Sequence, residues 1–361
     1  MARPKTVYRG KRKYSWLITL LVSTVALLLL LTVWMFYHLQ TYLVYDKDGV
    51  RLVLPSEREA LTPDAPGDSG GQTAELPRID VEIVVDKTDY SGVQTDAGQD
   101  VPALRAVYVP AGEVTAQNLD FYLTGLGDFN ALVLQLKGPD GYLRYDSAVP
   151  LAASYNVNGS LDLAAYAEKF KARGVTLVAE LSCLTDSAMA VRNAPAALKN
   201  AVTGSAYTAD GLAWLDPYSE VTRSYLTNLI TELHTLGFDE ILLSGVYCPE
   251  SDNLEFSKRM TLAPDRASAV SSLALYLREQ ADALGIRLSA LAETDALADG
   301  ESESIGQDLP VFFKAFDRVG FLAGERYQAA LAALTPYTES ADRILPVTDG
   351  FAPERTTYAV K

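Results

Sequence analysis

Short apolar runs alternate with helix-like patterns along most of this chain, beginning near Leu104. Alternation of this kind is typical of repeated βα units whose strands lie parallel in one sheet. Seven runs have the length of strands: residues 105–109, 131–137, 175–183, 240–247, 286–293, 318–323 and 343–348. The pattern predicts an α/β fold of the (β/α)8 type, the TIM barrel.

Two of the segments between these runs have the apolar spacing of shell helices. The first set is Val221, Tyr225, Leu226, Leu229, Ile230, Leu233 and Leu236, and the second is Val270, Leu273, Leu277, Ala281 and Leu284. Each set is followed at once by a glycine, Gly237 or Gly285, which is a natural end for a helix. Both segments are therefore predicted to be helices packed on a sheet.

The eighth strand of such a barrel is difficult to place. Only residues 350–355 separate the seventh run from the apolar stretch 356–360, whereas a parallel crossover needs about a dozen residues. We therefore expect an incomplete or irregular barrel at the C-terminal end. It stays open, borrows a strand near residues 78–86, or pairs its last segment antiparallel.

The first residues of the chain predict a membrane anchor. Six basic residues and no acid occur in residues 1–14, and residues 15–37 carry no charge. An apolar run of roughly 20 residues can span a bilayer, and a basic flank stays on the cytoplasmic side. A cleaved signal peptide is the alternative, but its apolar core is shorter, about 7 to 15 residues. The interpretation is a single-pass transmembrane helix with the C-terminal part extracytoplasmic.

Composition divides the rest of the chain. Residues 38–100 form a juxtamembrane segment and an acidic linker, since 56–76 are rich in Pro, Gly and acids, and 78–86 alternate like a strand. Residues 101–361 are predicted to form the barrel domain. Outside the basic tail the formal charge is −21, against −15 for the whole chain. Without clustered Lys and Arg, this domain is not expected to bind nucleic acid.

The strand near residues 240–247 also carries a family resemblance. The segment Phe238–Glu250 reads FDEILLSGVYCPE. It resembles the bacterial putative glycoside hydrolase domain of the alpha-amylase-like superfamily, whose strand reads Gly-Phe-Asp-Glu-Ile, two apolar residues, Asp-Tyr, an apolar residue, then Arg-Phe-Pro. Ser244 stands at the Asp of that pattern. The resemblance covers roughly residues 105–349 and implies a TIM barrel that acts on carbohydrate.

Other motifs of that family are also present in altered form. The Ile-Asp-Val-Lys strand resembles residues 134–137, with Gln135 at the Asp and Lys137 at the Lys. Asp186 matches a following Asp of the family, and Trp214 and Asp216 match its Trp-x-Asp-Pro element. Glu180 replaces the Arg of its Ala-Arg strand, and Leu291 replaces the Asp of its Ser-Ala-Asp strand. Three expected acids are therefore replaced, by Gln135, Ser244 and Leu291.

Alternation along the strands predicts which side chains face the inside of the barrel, because successive side chains point to opposite faces. The predicted inward set is Val133, Gln135, Lys137, Val178, Glu180, Ser182, Ser244, Arg287, Ser289, Leu291 and Glu293. Hydrolysis of a glycoside usually needs two carboxyl groups about 5 to 9.5 Å apart. Glu180 and Glu293 are the candidate catalytic pair, with Asp186 and Glu250 as other carboxylates near the mouth. The alternative for Glu180 is an ion pair with Lys137, since a buried charge needs a partner.

The remaining candidates bind ligand or stabilise the fold. Candidate ligand-binding residues are Gln135, Lys137, Asp186, Trp214, Asp216, Ser244 and Tyr247. Aromatic faces at Trp214, Tyr218 and Tyr247 suit sugar rings, and packing is the alternative for each. Asp216 before Pro217 also fits a helix N-cap.

The two cysteines, Cys183 and Cys248, end neighbouring strands, so they form either a disulfide or two buried thiols. With two histidines in the chain, neither a metal site nor a cofactor is predicted.

Two functions remain open from the sequence. The first is an extracytoplasmic, membrane-anchored relative of glycoside hydrolases that binds a polysaccharide or cell-envelope glycan with weakened or lost catalysis, a candidate pseudoenzyme. The second is an active glycoside hydrolase with a diverged carboxylate pair.

Overall fold

A computed structural model describes residues 90–257, 266–351 and 353–361, together with Thr24 and two short strands. The chain divides into two units, Met1–Val81 and Glu82–Lys361. In the first unit, strands Leu43–Asp46 and Gly49–Leu52 pair antiparallel.

Several of the N-terminal predictions concern residues outside the described part of the chain. The predicted linker at 56–76 and the predicted strand at 78–86 lie outside the described residues. So does the predicted membrane span at 15–37, apart from Thr24, which is helical. Among the helices that are described, none is long and apolar enough to span a bilayer.

Eight parallel strands close a barrel in the second unit, and each pairs with the next in chain order. They are β1 (Arg105–Val109), β2 (Ala131–Lys137), β3 (Thr176–Ser182), β4 (Glu240–Ser244), β5 (Arg287–Ala292), β6 (Val319–Leu322), β7 (Ile344–Thr348) and β8 (Tyr358–Val360). The seven predicted strands are confirmed, with ends that differ by three residues or fewer. The fold is thus an α/β barrel of the TIM type.

Nine α-helices lie between the strands in the described part of this unit. They are α1 (Ala116–Tyr122), α2 (Pro150–Ser154), α3 (Leu163–Lys171), α4 (Ser187–Arg192), α5 (Glu220–Thr235), α6 (Arg266–Leu284), α7 (Thr294–Asp299), α8 (Leu309–Ala315) and α9 (Tyr327–Leu334). The two helices predicted from apolar spacing are α5 and α6. Gly237 and Gly285 follow them with φ of 93° and 70°, a conformation that favours glycine.

The prediction of an incomplete barrel was wrong. β8 is parallel to both neighbours, with Ala359 opposite Val347 on β7 and opposite Ala106 on β1. The described residues of the connection between β7 and β8 form no helix. The connection succeeds because β8 has three residues, so the chain must return only about 10 Å along the barrel, which nine extended residues cover easily.

Apolar side chains and a buried ion pair fill the barrel interior. The apolar set contains Leu104, Ala106, Tyr108, Ala131, Val133, Val178, Leu242, Leu291, Leu345, Val347 and Ala359. The ion pair lies at the N-terminal end of the strands. There Arg318 Nε donates to Glu240 Oε1 at 3.1 Å, and Ser289 Oγ donates to the same oxygen at 2.6 Å. The inward orientation predicted for Val133, Val178, Ser289 and Leu291 is confirmed.

Candidate functional site

A cavity of about 230 Å³ opens at the C-terminal ends of the strands, where active sites of such barrels lie. Its lining residues are Tyr108, Gln135, Pro139, Glu180, Ser182, Thr185, Leu212, Ser244, Gly245, Tyr247, Leu291, Ala292, Glu293, Thr294 and Leu322. Five of the candidates from the sequence meet here: Gln135, Glu180, Ser244, Tyr247 and Glu293. We call this cavity the mouth.

Glu180 on β3 is the most deeply buried acid of the mouth, with 1% of its surface exposed. Its Oε1 accepts a hydrogen bond from Gln135 Nε2 at 2.9 Å. Gln135 Oε1 in turn accepts from Ala111 N at 3.0 Å, and because a backbone N–H can only donate, this contact defines the orientation of the amide. Gln135, which replaces an expected acid, is therefore a hydrogen-bond donor to Glu180.

Burial raises the pKa of Glu180 above its ordinary value of 4.5, since a carboxylate without solvent is destabilised. Hydrogen bonds from Tyr108, Gln135 and Ser244 lower that pKa, but by less. Within the described residues, Oε2 has no hydrogen bond of normal geometry. Protonation of Glu180 is therefore favoured over a wider pH range than for an exposed glutamate.

The predicted ion pair between Glu180 and Lys137 was wrong. A β-bulge follows Gln135, so that Lys137 lies opposite Leu181, whose side chain packs in the layer between barrel and helices. Lys137 Nζ instead lies 2.8 Å from Asp186 Oδ2 and donates to Ser182 O at 2.5 Å. The inward orientation expected for Lys137 fails for the same reason, because one extra residue reverses the alternation.

Asp186 is fully buried behind the mouth and does not line it. Its Oδ1 accepts from Met189 N at 2.8 Å and so caps the N-terminus of α4, while Oδ2 pairs with Lys137. Lys137 also lies 5.6 Å from the centre of the Tyr225 ring on α5. Both residues, predicted as ligand-binding, thus join the barrel to its shell.

Glu293 follows β5 and is the half-buried acid of the mouth. Burial raises its pKa, and the charge of Asp295 adds to the effect. Nearby Tyr247 has its pKa raised to about 12, first by burial and then by the charge of Glu293. Both side chains are partly exposed, so both can contact a ligand.

The other aromatic candidates are buried. Trp214 is 4% exposed and packs edge-to-face on Tyr247, with ring centres 6.1 Å apart. Tyr218 is 6% exposed and packs on Phe256 at 6.0 Å. The packing alternative therefore describes Trp214 and Tyr218, whereas the ring of Tyr247 lines the mouth.

Asp216 is not the cap of α5, because Ser219 occupies that position and its side chain accepts from Thr222 N. The Asp216 carboxylate instead accepts from Tyr218 N at 2.9 Å and from Ser257 N at 2.5 Å. Burial raises its pKa, while these hydrogen bonds lower it. Asp216 thus connects two loops behind the mouth and does not line the cavity.

Cys183 and Cys248 are free, buried thiols, so the disulfide alternative does not describe this structure. Burial raises the pKa of Cys183 to about 12 and also raises that of Cys248. Glu250 is exposed and lies outside the mouth lining.

Sequence reasoning missed Tyr108, whose hydroxyl lowers the pKa of the Glu180 carboxyl. The pKa of Tyr108 itself is raised by burial and by the charge of Glu180. The alternation of Tyr108 with Ala106 on β1 was a signal that could have placed it inside. Leu212 was also missed. It comes from a hairpin in which Thr208–Ala209 pairs with Leu212–Ala213, and strands of two residues are too short to show an alternating pattern.

Comparison with protein families gives this arrangement a context. Residues 106–322, more than half of the chain, match the family DUF4015, described as "Putative glycosyl hydrolase domain". The chain belongs to this family. No curated protein matches it.

Solved structures resemble this DUF4015 member in fold. The glycoside hydrolase domain of PgaB (BpsB) from Bordetella bronchiseptica superposes with a TM-score of 0.53 and 17% identity, over 72% of this chain and 94% of that one. A hypothetical protein from Ruminiclostridium thermocellum ATCC 27405 has 24% identity and a TM-score of 0.45, over 51% of this chain and 96% of that one. These similarities concern the fold, and the family match makes the DUF4015 barrel a glycosyl hydrolase-like domain.

Proposed function

We propose that the mouth of this DUF4015 barrel binds a glycan, with weakened or lost hydrolysis. One observation carries the proposal. The mouth keeps a cavity with hydroxyl, amide and carboxyl groups among apolar side chains, yet positions where the family resemblance implies acids hold Gln135, Ser244 and Leu291. A cavity lined by hydroxyl, amide and carboxyl groups suits a sugar, while the loss of acids removes groups that hydrolysis needs.

The two remaining acids do not form a clear acid–base pair. Glycosidases place their carboxyl groups in environments that move the two pKa values apart, so that one group is protonated and the other ionised. Here the pKa values of Glu180 and Glu293 are both raised, each chiefly by burial. Neither shift marks one of the two acids as the ionised partner that hydrolysis needs.

A second function, hydrolysis by Glu180 and Glu293, has an observation in its favour. The two acids line one cavity, and Glu180 is almost fully buried whereas Glu293 is half-buried. In that mechanism Glu180 would protonate the leaving oxygen and Glu293 would act as base or nucleophile.

The basic tail at residues 1–14 and the uncharged run at 15–37 support the further proposal of a single-pass anchor with the barrel outside the cytoplasm. A cell-envelope or extracellular polysaccharide is the ligand that such a location favours. Membership of the alpha-amylase-like superfamily is part of the same proposal.

The test measures binding and hydrolysis separately on the purified full chain. Binding to a panel of neutral, cationic and anionic polysaccharides is measured by calorimetry, and release of reducing ends is measured on the same panel. We expect binding without hydrolysis, with loss of affinity in Tyr247→Ala and no loss in the control Glu325→Gln, an exposed acid outside the mouth. Hydrolysis that disappears in both Glu180→Gln and Glu293→Gln would establish the second function, and binding to none of the glycans would refute the proposal.

A further inference from the structure

We propose that the mouth is selective for a sugar unit with a free amino group, a hexosamine, whose ammonium group pairs with the Glu293 carboxylate. This inference rests on the proposed function, glycan binding in the mouth, and adds the chemical class of the ligand. It depends on the charges that line the cavity.

Two of the described residues that line the mouth are acids, Glu180 and Glu293. No described lining residue is Lys, Arg or His. The lysine expected from the sequence is turned away by the bulge in β2 and pairs with Asp186. The charge of Lys361 acts on Glu180 and lowers its pKa. That amine also lies 3.4 Å from Asp349 Oδ1 and 5.7 Å from the centre of the Tyr108 ring.

Two further acids make the mouth more negative. Asp295 acts on Glu293, and Asp210 acts on Tyr247, together with Glu293 itself. Asp295 lies within 3.5 Å of Arg326, but its side chain is 88% exposed, so water screens both charges. The potential in the mouth therefore favours a cation over a neutral group and disfavours an anion.

The two mouth acids differ in what they can do for a ligand. Glu180 is 1% exposed, and its Oε2 is buried without a hydrogen bond of normal geometry from any described residue. It contributes negative charge or an unused hydrogen-bonding oxygen behind Gln135 and Ser244. Glu293 is half-buried, so its carboxylate can contact a ligand directly.

A partly buried carboxylate without a cation is destabilised by lost hydration, and an ammonium group would offset that loss. Acetylation of the sugar amine removes this gain, because the amide is neutral. The partly exposed ring of Tyr247 beside Glu293 offers an apolar face to the same sugar unit. These groups together describe a hexosamine subsite.

The experiment compares matched oligosaccharides on the purified full chain by calorimetry. The probes are tetramers of glucosamine and of galactosamine, their N-acetylated counterparts, cellotetraose and tetralysine. We expect at least one deacetylated tetramer to bind about tenfold or more tightly than its acetylated form, because a hydrogen bond to a charged group is lost on acetylation. Tetralysine should bind more weakly than that sugar.

Two variants identify the carboxylate. Glu293→Gln should reduce the preference for the free amine to about onefold. This variant is expected to keep the native fold, because the Glu293 side chain makes no cap hydrogen bond to α7. Asp295→Asn removes the same charge two residues away, outside the mouth lining, and should reduce the preference only slightly, because water screens the exposed Asp295 carboxylate. Circular dichroism is used to check that both variants are folded.

The inference would be overturned if acetylated and deacetylated tetramers bound with equal affinity, or if tetralysine bound as tightly as the deacetylated sugar. It would also be overturned if Asp295→Asn lost as much of the preference as Glu293→Gln. If only neutral or anionic glycans bind, the inference fails while glycan binding stands. If no glycan binds, the proposed function fails as well.

Discussion

Lys137 Nζ and Asp186 Oδ2 lie 2.8 Å apart in an ion pair from which water is completely excluded. The pair connects the bulged end of β2 to the N-cap of α4. It also explains why the mouth lacks the lysine that alternation predicts there. The bulge therefore links the stability of the barrel to the charge of its mouth.

Asp186→Asn is expected to lower the free energy of unfolding by about 3–5 kcal/mol, because it leaves the Lys137 ammonium buried without a counter-charge. An asparagine oxygen can still cap α4, so the change isolates the ion pair. Urea unfolding measures the loss. Asp140→Asn is the control, since Asp140 pairs with Arg144 at 2.7 Å while 46% exposed, and should lose less than about 1 kcal/mol. Similar losses in the two variants would contradict the prediction.

Gln135→Leu is expected to raise the pKa of Glu180 further, because the amide that donates to its carboxylate at 2.9 Å is removed. NMR titration of selectively labelled glutamate carboxyl carbons measures the shift. Gln328→Leu, at an exposed glutamine outside the mouth, should leave the Glu180 titration unchanged. An unchanged or lowered pKa in Gln135→Leu would show that the hydrogen bond does not stabilise the carboxylate.

The raised pKa of Glu180 also predicts that the stability of the fold depends on pH. Its pKa is raised in the folded state, so the folded chain binds the proton more tightly than the unfolded chain. This contribution to stability is fully present below the ordinary value of 4.5 and is lost as the pH rises through the folded-state pKa. We expect Glu180→Gln to gain stability relative to the wild type over that rise, as measured by urea unfolding from acid to neutral pH. A difference that is constant with pH would refute this.

Thr357→Val tests the closure of the barrel. Thr357 Oγ1 accepts from Leu104 N at 3.1 Å and donates to Asp342 Oδ1 at 2.7 Å. Its loss leaves the buried Leu104 N–H without an acceptor, which costs about 1–3 kcal/mol. Thr356→Val is the matched control, because exposed Thr356 donates to the same Asp342 oxygen but water can replace it. Thermal unfolding compares the two, and an equal effect would argue against a role in closure.

The two cysteines are expected to react slowly with a thiol reagent in the native chain and completely after unfolding. Both are buried, and the pKa of Cys183 is raised to about 12, so little thiolate is available. Counting reactive thiols without a reducing agent, before and after denaturation, tests this. The absence of reactive thiols after unfolding would indicate a disulfide.

The sequence by itself determined the type of fold and the composition of most strands. Apolar alternation is a local signal, which is why the seven strand predictions and the inward positions of Val178, Ser289 and Leu291 agree with the structure. The same alternation brought Gln135, Glu180 and Ser244 to the mouth. Local spacing was sufficient wherever the strand remained regular.

The tertiary structure alone decided the partners and the closure. A bulge after Gln135 turned Lys137 toward Asp186, and a three-residue β8 closed the barrel. Tyr108 meets Glu180 from a strand more than 60 residues away in sequence. These features depend on contacts between residues that are distant in sequence. Such contacts produce no periodic pattern of residue types in the sequence.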